Sequence, residues 1–302
     1  MVERVRVDAP AKVNLRLRVL GRESSGFHSL ETVFCAVSLA DELEVERGGA
    51  RMELRVLGEV DTGPPERNLV LRAARAFAAE SGIDCPARLT LHKRIPAAAG
   101  LGGGSSDAAA ALRALNALHG DPLPPSALLR IGASLGSDVP FFLCGSPLAV
   151  AWGRGERLLA LPPLPSRPVL IAHPGAAMPT GEAFGLLAEL RGEAPTEPRG
   201  WATDLSAMGE WEGIAASAVN DFDAVARERN PRFADALRAL GESGARIALL
   251  AGSGSALFGV FDDDPARERA ARPLRSAGWR VWPACTLERT APLRVDPSGC
   301  CG

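Results

Sequence analysis

The sequence is poor in several features, and each shortage excludes a class of protein. It has no tyrosine, and no apolar run in its 302 residues approaches the roughly 18 residues that a membrane-spanning helix needs. The first ten residues, MVERVRVDAP, lack the apolar stretch of a signal peptide, so we expect a cytoplasmic protein. Basic blocks are also missing and the net charge is -2, which argues against a nucleic-acid surface. We therefore expect a small-molecule substrate, with neither a membrane nor a nucleic acid as partner.

Cysteine and lysine are also too sparse for several kinds of site. The six cysteines show no CxxC or Cys/His spacing, which predicts reduced thiols and no dedicated metal-ligating residue. Only Lys12 and Lys93 are lysines among the 34 basic residues. A lysine in an arginine-rich chain is either left over or marks a position where a compact ammonium suits better than a planar guanidinium. Lys12 is a candidate functional residue on that ground.

The length of the chain exceeds what one hydrophobic core usually organises, which predicts two domains. A proline-rich stretch at 161–168, LPPLPSRP, breaks regular structure and separates the halves. We predict an N-terminal domain over 1–160, a C-terminal domain over 161–290 and a flexible tail over 291–302, which contains Cys300 and Cys301.

Hydrophobic periodicity predicts a mixture of strands and helices, which is the α+β class. Alternation predicts a strand over 12–20, in which Lys12 and Asn14 share one face. Further strands are predicted over 42–46, 52–57, 88–92 and 169–172, and two more flank the AGSGS turn at 251–255. Helices are predicted over 68–81, 107–119, 126–136, 180–190 and 231–241, with Ser105 or Ser106 capping the one at 107.

A run of glycines and small residues, PAAAGLGGGSSDAAAAL at 96–112, leads into the helix predicted from 107. Glycines let the backbone approach a phosphate closely, and a helix start adds backbone amides and a positive dipole end. The run is neither a Walker A loop nor a GxGxxG dinucleotide motif, and a flexible glycine cap is the alternative. The predicted phosphate-binding residues are Pro96, Ala97, Ala98, Ala99, Gly100, Leu101, Gly102, Gly103, Gly104, Ser105 and Ser106.

Four motifs carry a resemblance to a known family. PxxxGLGGGSSDAA is similar to the ATP loop of the GHMP kinases, and PAKVNLRLRVLGRESSGFHSLETVF at 10–34 resembles the opening motif of their diphosphocytidyl-methylerythritol kinases. LGSDVPFFLCG at 135–145 and LLAGSGSALFGVF at 249–261 resemble later segments, so the likeness covers nearly the whole chain. It implies a two-domain GHMP kinase fold, with an N-terminal ATP-binding domain of ribosomal protein S5-like type, a C-terminal GHMP kinase domain and the active site in the cleft between them.

The resemblance also implies the reaction, which is ATP-dependent phosphorylation of the 2-hydroxyl of a CDP-linked methylerythritol in the non-mevalonate isoprenoid pathway. ATP is expected as co-substrate, with Mg²⁺. Asp138 and Lys12 match the family's catalytic pair, and Asn14 is expected to bind the substrate alcohol. Whether Asp138 abstracts the proton or positions the alcohol stays open, and a structural salt bridge is the alternative role of the pair.

The resemblance also implies residues that contact the cytosine of the substrate and the adenine of ATP. Phe27 and His28 fall where the family holds cytosine with an aromatic ring and a histidine, although the family usually has tyrosine at the first position. Phe184 matches a second aromatic residue against that base. Asn68 matches a position near adenine, and capping of the following helix explains it equally well.

Three competing functions follow from the same residues. The first is another GHMP kinase, acting on mevalonate, homoserine or a sugar, and the GFH motif at 26–28 argues against it. The second is a catalytically silent ATP-binding regulator, against which the presence of both Lys12 and Asp138 argues. The third is a nucleic-acid-binding domain, which the acidic net charge disfavours.

Overall fold

Strands and helices are mixed along both halves of the chain, in the α+β arrangement that the sequence predicts. The computed structural model describes residues 2–22, 28–58, 60, 62–176, 178–192 and 205–297. Its strands are, in chain order, β1 (Val2–Arg22), β2 (His28–Arg47), β3 (Glu53–Leu57), β4 (Ala87–His92), β5 (Leu148–Gly153), β6 (Arg157–Ala160), β7 (Pro168–His173), β8 (Val219–Asn220), β9 (Ile247–Leu250), β10 (Leu257–Val260), β11 (Arg280–Cys285) and β12 (Leu293–Pro297). Its helices are α1 (Leu69–Ser81), α2 (Gly103–Leu118), α3 (Pro125–Leu135), α4 (Thr180–Arg191), α5 (Trp211–Ser217), α6 (Phe222–Arg229), α7 (Pro231–Glu242) and α8 (Asp264–Ser276). Within those described ranges, no helix is both long and apolar enough to cross a membrane.

A large sheet occupies the N-terminal half. Its strands follow the order β12-β1-β2-β4-β3, with β5 also paired to β2 and β6 paired to β5. The alternation that predicts a strand over 12–20 continues back towards Val2, because Val5, Val7 and Ala9 belong to the same buried set. Helices α1 and α2 pack on each other, and α2 lies against β1 and β2. These contacts bury the apolar face of the sheet in one core.

A smaller antiparallel sheet, in the order β11-β7-β10-β9, forms the C-terminal half, with α7 and α8 packed on it. The two halves share apolar contacts. Val13 and Leu15 of β1 belong to one buried cluster with Ile171 of β7 and Phe258 of β10. The strand that carries Lys12 is therefore packed against the second sheet, and the cleft between the halves has walls from both.

Two segments beyond residue 160 belong to the N-terminal sheet. β8 pairs with β1 in parallel at Arg16 and Leu17, and β12 pairs with the first residues of β1. The predicted flexible tail is therefore wrong for Leu293–Pro297. Five residues of alternation give too weak a signal in the sequence, whereas the folded β1 offers them an edge with hydrogen-bonding groups. Cys300 and Cys301 lie outside the described residues, and the domain boundary near 160 stays a prediction.

The starts of two helices show how glycine and asparagine act differently. α1 has Asn68 as its N-cap, and the Asn68 Oδ1 accepts a hydrogen bond from the Val70 N–H at 2.9 Å. α2 begins at Gly103 rather than at Asp107, and its N-cap is Gly102 with φ 69°. The prediction that Ser105 or Ser106 caps this helix is wrong, because a left-handed glycine lets the chain enter the helix inside the glycine run. Both serines consequently lie in the first turn.

Candidate active site

A cleft of about 990 Å³ opens between the two halves and collects most of the predicted site. This volume lies at the upper end of the usual range for small-molecule sites, of about 300–1,000 Å³. Phe27 lies outside the described residues, and Ser106 does not line the cleft. The predicted residues that do line it are Lys12, Asn14, His28, Asn68, Asp138, Phe184 and the whole loop from Pro96 to Ser105.

Lys12 is buried in the wall of the cleft and contacts both of its predicted partners. Its Nζ donates a hydrogen bond to the Asn14 Oδ1 at 2.7 Å and lies 3.4 Å from the Asp138 Oδ2. The Lys12 side chain is 5% exposed, whereas that of Asp138 is 31% exposed. The lysine is thus held from inside the protein, and the carboxylate faces the space that a substrate would enter.

The orientation of the Asn14 amide follows from its neighbours. Its Nδ2 donates to the Thr32 Oγ1 at 2.8 Å, and that hydroxyl donates in turn to the Arg16 carbonyl oxygen at 2.6 Å. Lys12 also lies over the ring of Phe34, with its Nζ 5.2 Å from the ring centroid. A chain of directed contacts from β1 and β2 therefore fixes the ammonium and the amide in place.

The glycine loop lies against both Lys12 and the second half of the chain. The Lys12 N–H donates to the Leu101 carbonyl oxygen at 2.9 Å, and the Ala256 N–H donates to the Ala99 carbonyl oxygen at 3.1 Å. A Cβ at Gly102 would lie 2.9 Å from the Lys12 Cγ, and one at Gly100 would lie 1.8 Å from the Ala251 carbonyl oxygen. Only glycine fits these two close approaches, and each also has a positive φ.

The N-terminus of α2 faces the cleft with its glycines and one serine. No side chain of the described residues caps this helix start, so its first backbone amides and dipole are available to an anion. Ser105 lines the cleft. Ser106 is instead buried beside a separate small cavity, and its Oγ has no hydrogen-bond partner among the described residues. Successive helical residues point about 100° apart, and here Ser105 faces the cleft whereas Ser106 faces the small cavity.

His28 and Phe184 form an aromatic pair in the wall of the cleft. The rings of His28 and Phe184 stack with centroids 4.5 Å apart and an angle of 19° between their planes. Phe184 also meets Phe222 edge-on at 4.9 Å. The structure thus brings together two of the three residues predicted to hold cytosine, one from β2 and one from α4.

Comparisons with known proteins give the family. The sequence matches the family described as GHMP kinases N terminal domain over residues 68–146, and GHMP kinases C terminal over residues 202–279. The 4-diphosphocytidyl-2-C-methyl-D-erythritol kinase of Solibacter usitatus is 44% identical over 264 residues, which cover 87% of this chain and 83% of the relative. The protein of the same name from Deinococcus radiodurans is 41% identical over 278 residues, which cover 90% of both chains.

The chain belongs to the 4-diphosphocytidyl-2-C-methyl-D-erythritol kinase family.

Solved structures agree with this assignment. A crystal structure of 4-(cytidine 5'-diphospho)-2C-methyl-D-erythritol kinase matches with a TM-score of 0.76 and 36% identity, over 93% of this chain and 98% of the other. Homoserine kinase from Cytophaga hutchinsonii matches with a TM-score of 0.72 over 98% of both chains, but its 18% identity shows the fold alone. The two-domain GHMP kinase fold predicted from the sequence is confirmed, and the protein is a kinase.

Beside the glycine loop of this kinase lies a buried charge cluster that the sequence did not predict. The Lys93 Nζ contacts the Asp41 Oδ2 and lies 2.8 Å from the Asp107 Oδ2. The Asp41 Oδ1 accepts hydrogen bonds from the Arg94 and Ile95 N–H groups at 2.5 and 2.9 Å. Burial, opposed by Lys93, raises the pKa of Asp107 to about 8. Lys93 lines the cleft, and the scarcity of lysine was the one signal that pointed to it.

The AGSGS turn also reaches the cleft, through Gly252 and Ser253. His173 of β7 contacts this turn through Ser255. The Gly175 N–H donates to the His173 Nδ1 at 3.1 Å, so the Nε2 carries the proton and donates to the Ser255 Oγ at 3.0 Å. The Ser255 hydroxyl donates in turn to the Ala176 carbonyl oxygen at 2.5 Å. This series of hydrogen bonds requires the imidazole of His173 to be neutral. Burial lowers the pKa of His173, which favours the neutral form.

Proposed function

We propose that this kinase transfers the γ-phosphoryl group of ATP to the 2-hydroxyl of 4-diphosphocytidyl-2-C-methyl-D-erythritol, a step of the non-mevalonate isoprenoid pathway. The observation that carries the proposal is the meeting of Lys12, Asn14 and Asp138 beside the glycine loop, with the Lys12 Nζ 2.7 Å from Asn14 and 3.4 Å from Asp138. The names of the relatives support the choice of substrate.

ATP is proposed to place its phosphates on the glycine loop and the start of α2. Gly102 and Gly104 leave room for close approach to backbone amides, and the Ser105 hydroxyl is beside them. Asn68 is proposed to contact adenine in addition to capping α1. Mg²⁺ is expected with ATP and supplies, when bound, positive charge at the phosphate oxygens. Since the described residues contain no cluster of three acidic, histidine or cysteine side chains, we propose phosphate oxygens and water as its main ligands.

The transfer step uses the polar end of the cleft. The oxygen of the acceptor hydroxyl attacks the γ-phosphorus, the bond from that phosphorus to the bridging oxygen breaks, and ADP leaves. Asp138 orients the hydroxyl or accepts its proton, and Lys12 offsets negative charge at the transferring oxygens. The Asn14 Oδ1 already accepts from Lys12 and has a second lone pair, with which it can accept a hydrogen bond from the substrate alcohol.

The cytidine end is proposed to lie at His28 and Phe184, with Phe27 as a second ring against the base. Stacking on an aromatic ring contributes about 1–3 kcal/mol per base. Because the imidazole of His28 already lies on one face of Phe184 at 4.5 Å, an incoming cytosine has to extend this stack or replace the imidazole in it. Only in the second arrangement, with the imidazole moved out of the stack, can the His28 ring nitrogens lie in the plane of the base and hydrogen-bond its edge.

The test is ATP turnover with 4-diphosphocytidyl-2-C-methyl-D-erythritol, 2-C-methyl-D-erythritol 4-phosphate, mevalonate and homoserine, with mass spectrometry of the products. We expect phosphorylation of the CDP-linked alcohol only, and a loss of kcat of about 100-fold or more in Asp138→Asn. Asp235→Asn, which changes an exposed carboxylate paired with Arg238 on α7, is the matched control and keeps its activity. Turnover of another alcohol instead would refute the substrate, and full activity of Asp138→Asn would refute the site.

A further inference from the structure

Asn220 is a buried polar residue behind the cleft that the proposed reaction does not use. It ends β8, is 3% exposed and does not line the cleft. Its Nδ2 donates to the carbonyl oxygens of Leu250 and Gly252, both at 2.8 Å, and its Oδ1 accepts from the Phe222 N–H at 2.9 Å. Both amide hydrogens and the amide oxygen are used, so neither a carboxylate nor an apolar side chain can replace this group.

Gly252, whose carbonyl oxygen accepts a hydrogen bond from Asn220, is part of the cleft wall. Gly252 lines the cleft in a left-handed conformation, with φ 55°. A Cβ on it would lie 2.9 Å from the Gly100 carbonyl oxygen and 3.4 Å from the Lys12 Nζ. A side chain at Gly252 would therefore meet both the glycine loop and the ammonium of Lys12, so the turn packs close to both and a displacement of the turn changes the surroundings of both.

The other side of Asn220 is tied to the strand that carries Lys12. Asn220 pairs with Leu17 of β1, and the Asp221 N–H donates to the Leu17 carbonyl oxygen at 3.0 Å. The Asp221 Oδ2 accepts from the Val19 N–H at 2.8 Å and from Arg191 at the end of α4 at 2.5 Å. These hydrogen bonds tie Asn220 and Asp221 to β1, so a shift of Asn220 would also move β1.

We propose that Asn220 is a positioning residue, which sets the distance of the AGSGS turn from Lys12 and the glycine loop by joining β1 to the carbonyls of Leu250 and Gly252. It touches no reacting group. Its effect on turnover rests on the proposed function, but its effect on the turn does not. A shift of 1 Å at a reacting centre lowers rate by about 100-fold, so even partial release of the turn is measurable.

A purely structural role would lower stability without a specific effect on catalysis, and Asn116 provides the comparison. It is also buried, its Nδ2 donates to the Leu123 carbonyl oxygen and the Asp121 Oδ1 at 3.0 and 3.1 Å, and its Oδ1 accepts from the Leu123 N–H at 3.0 Å. It has the same three-bond pattern, but it lies near the C-terminal end of α2 and lines no part of the cleft.

The experiment compares Asn220→Asp with Asn116→Asp in the full chain, by melting temperature, steady-state kinetics and amide hydrogen exchange. We expect both variants to lose stability, since each loses its amide donors. We expect only Asn220→Asp to lower kcat, by about tenfold or more, and to speed exchange over residues 251–256. If Asn220→Asp does not fold, Asn220→Ser against Asn116→Ser gives the same comparison.

The outcomes separate the two proposals. Equal kcat values for the two asparagine variants, with unchanged exchange over 251–256, overturn the positioning role of Asn220. If the unmodified chain phosphorylates none of the alcohols, the proposed function fails, and hydrogen exchange alone decides whether Asn220 holds the turn. Faster exchange over 251–256 in Asn220→Asp alone then supports the inference, and equal exchange in both variants overturns it.

Discussion

Gly100 is the position where one added methyl group most directly tests how the glycine loop meets the second half of the chain. In Gly100→Ala the new Cβ would lie 1.8 Å from the Ala251 carbonyl oxygen, whereas ordinary contacts begin at 3.4 Å. Neither atom belongs to a flexible side chain, so the two backbones have to separate by about 1.6 Å. The glycine loop then moves relative to the turn that carries Gly252.

The size of the effect follows from this displacement. The loop is hydrogen-bonded to the Lys12 backbone through Leu101 at 2.9 Å, so its shift reaches the proposed catalytic lysine. Since a misplacement of 1 Å costs about 100-fold in rate, we expect kcat to fall by at least about that factor. Alanine at φ 78° adds about 1–2 kcal/mol of backbone strain to the folded state.

Gly120→Ala is the matched control for that strain. Gly120 also has φ 78°, a Cβ built on it meets nothing within 4 Å, and it does not line the cleft. We expect this variant to lose stability and to keep its kcat. The assay is ATP turnover with the CDP-linked alcohol, together with thermal unfolding of both variants. If Gly100→Ala keeps a kcat within about threefold of Gly120→Ala, the contact between loop and turn does not govern catalysis, and the reasoning fails.

Three further predictions concern buried titratable groups. Asp41→Asn removes the charged partner of Lys93, and we expect the free energy of unfolding to fall by about 3 kcal/mol in urea titrations at pH 7. Asp107→Asn is not expected to lower it, because burial raises the pKa of Asp107 to about 8 and the folded protein therefore already holds this carboxyl neutral at pH 7. The wild type should lose stability relative to Asp107→Asn as pH rises from 5 to 8, since the carboxyl of Asp107 ionises at lower pH in the unfolded chain than in the folded protein. Equal losses of stability in the wild type and Asp107→Asn over this range would contradict this. For His173, burial and Arg280 lower the pKa of the folded state below the ordinary 6.5. The unfolded chain then binds more protons, so stability should fall as pH drops below about 6.5. This dependence should weaken in His173→Gln, and identical pH profiles in denaturant titrations would rule out the neutral imidazole.

Local patterns in the sequence determined the elements and much of the site. The alternation through Val13 and Leu15 places Lys12 and Asn14 on one face, because side chains in a strand repeat every two residues. The same local reasoning predicted α1 with its cap at Asn68. The glycines and helix start at 96–112 predicted the phosphate loop, the motif at 135–145 gave Asp138 through resemblance, and both line one cleft.

The tertiary structure alone decided which distant residues meet. The partners of Lys93 are Asp41 and Asp107, and those of Asn220 include Leu250 at the end of β9 and Gly252 in the turn that follows it. No periodicity encodes these pairs, because they depend on how segments distant in the sequence pack together rather than on neighbouring residues. The choice between Ser105 and Ser106, and the pairing of β12 with β1, have the same origin. Periodicity acts over a few residues, whereas a buried charge or amide is satisfied by whatever group the packed chain brings to it.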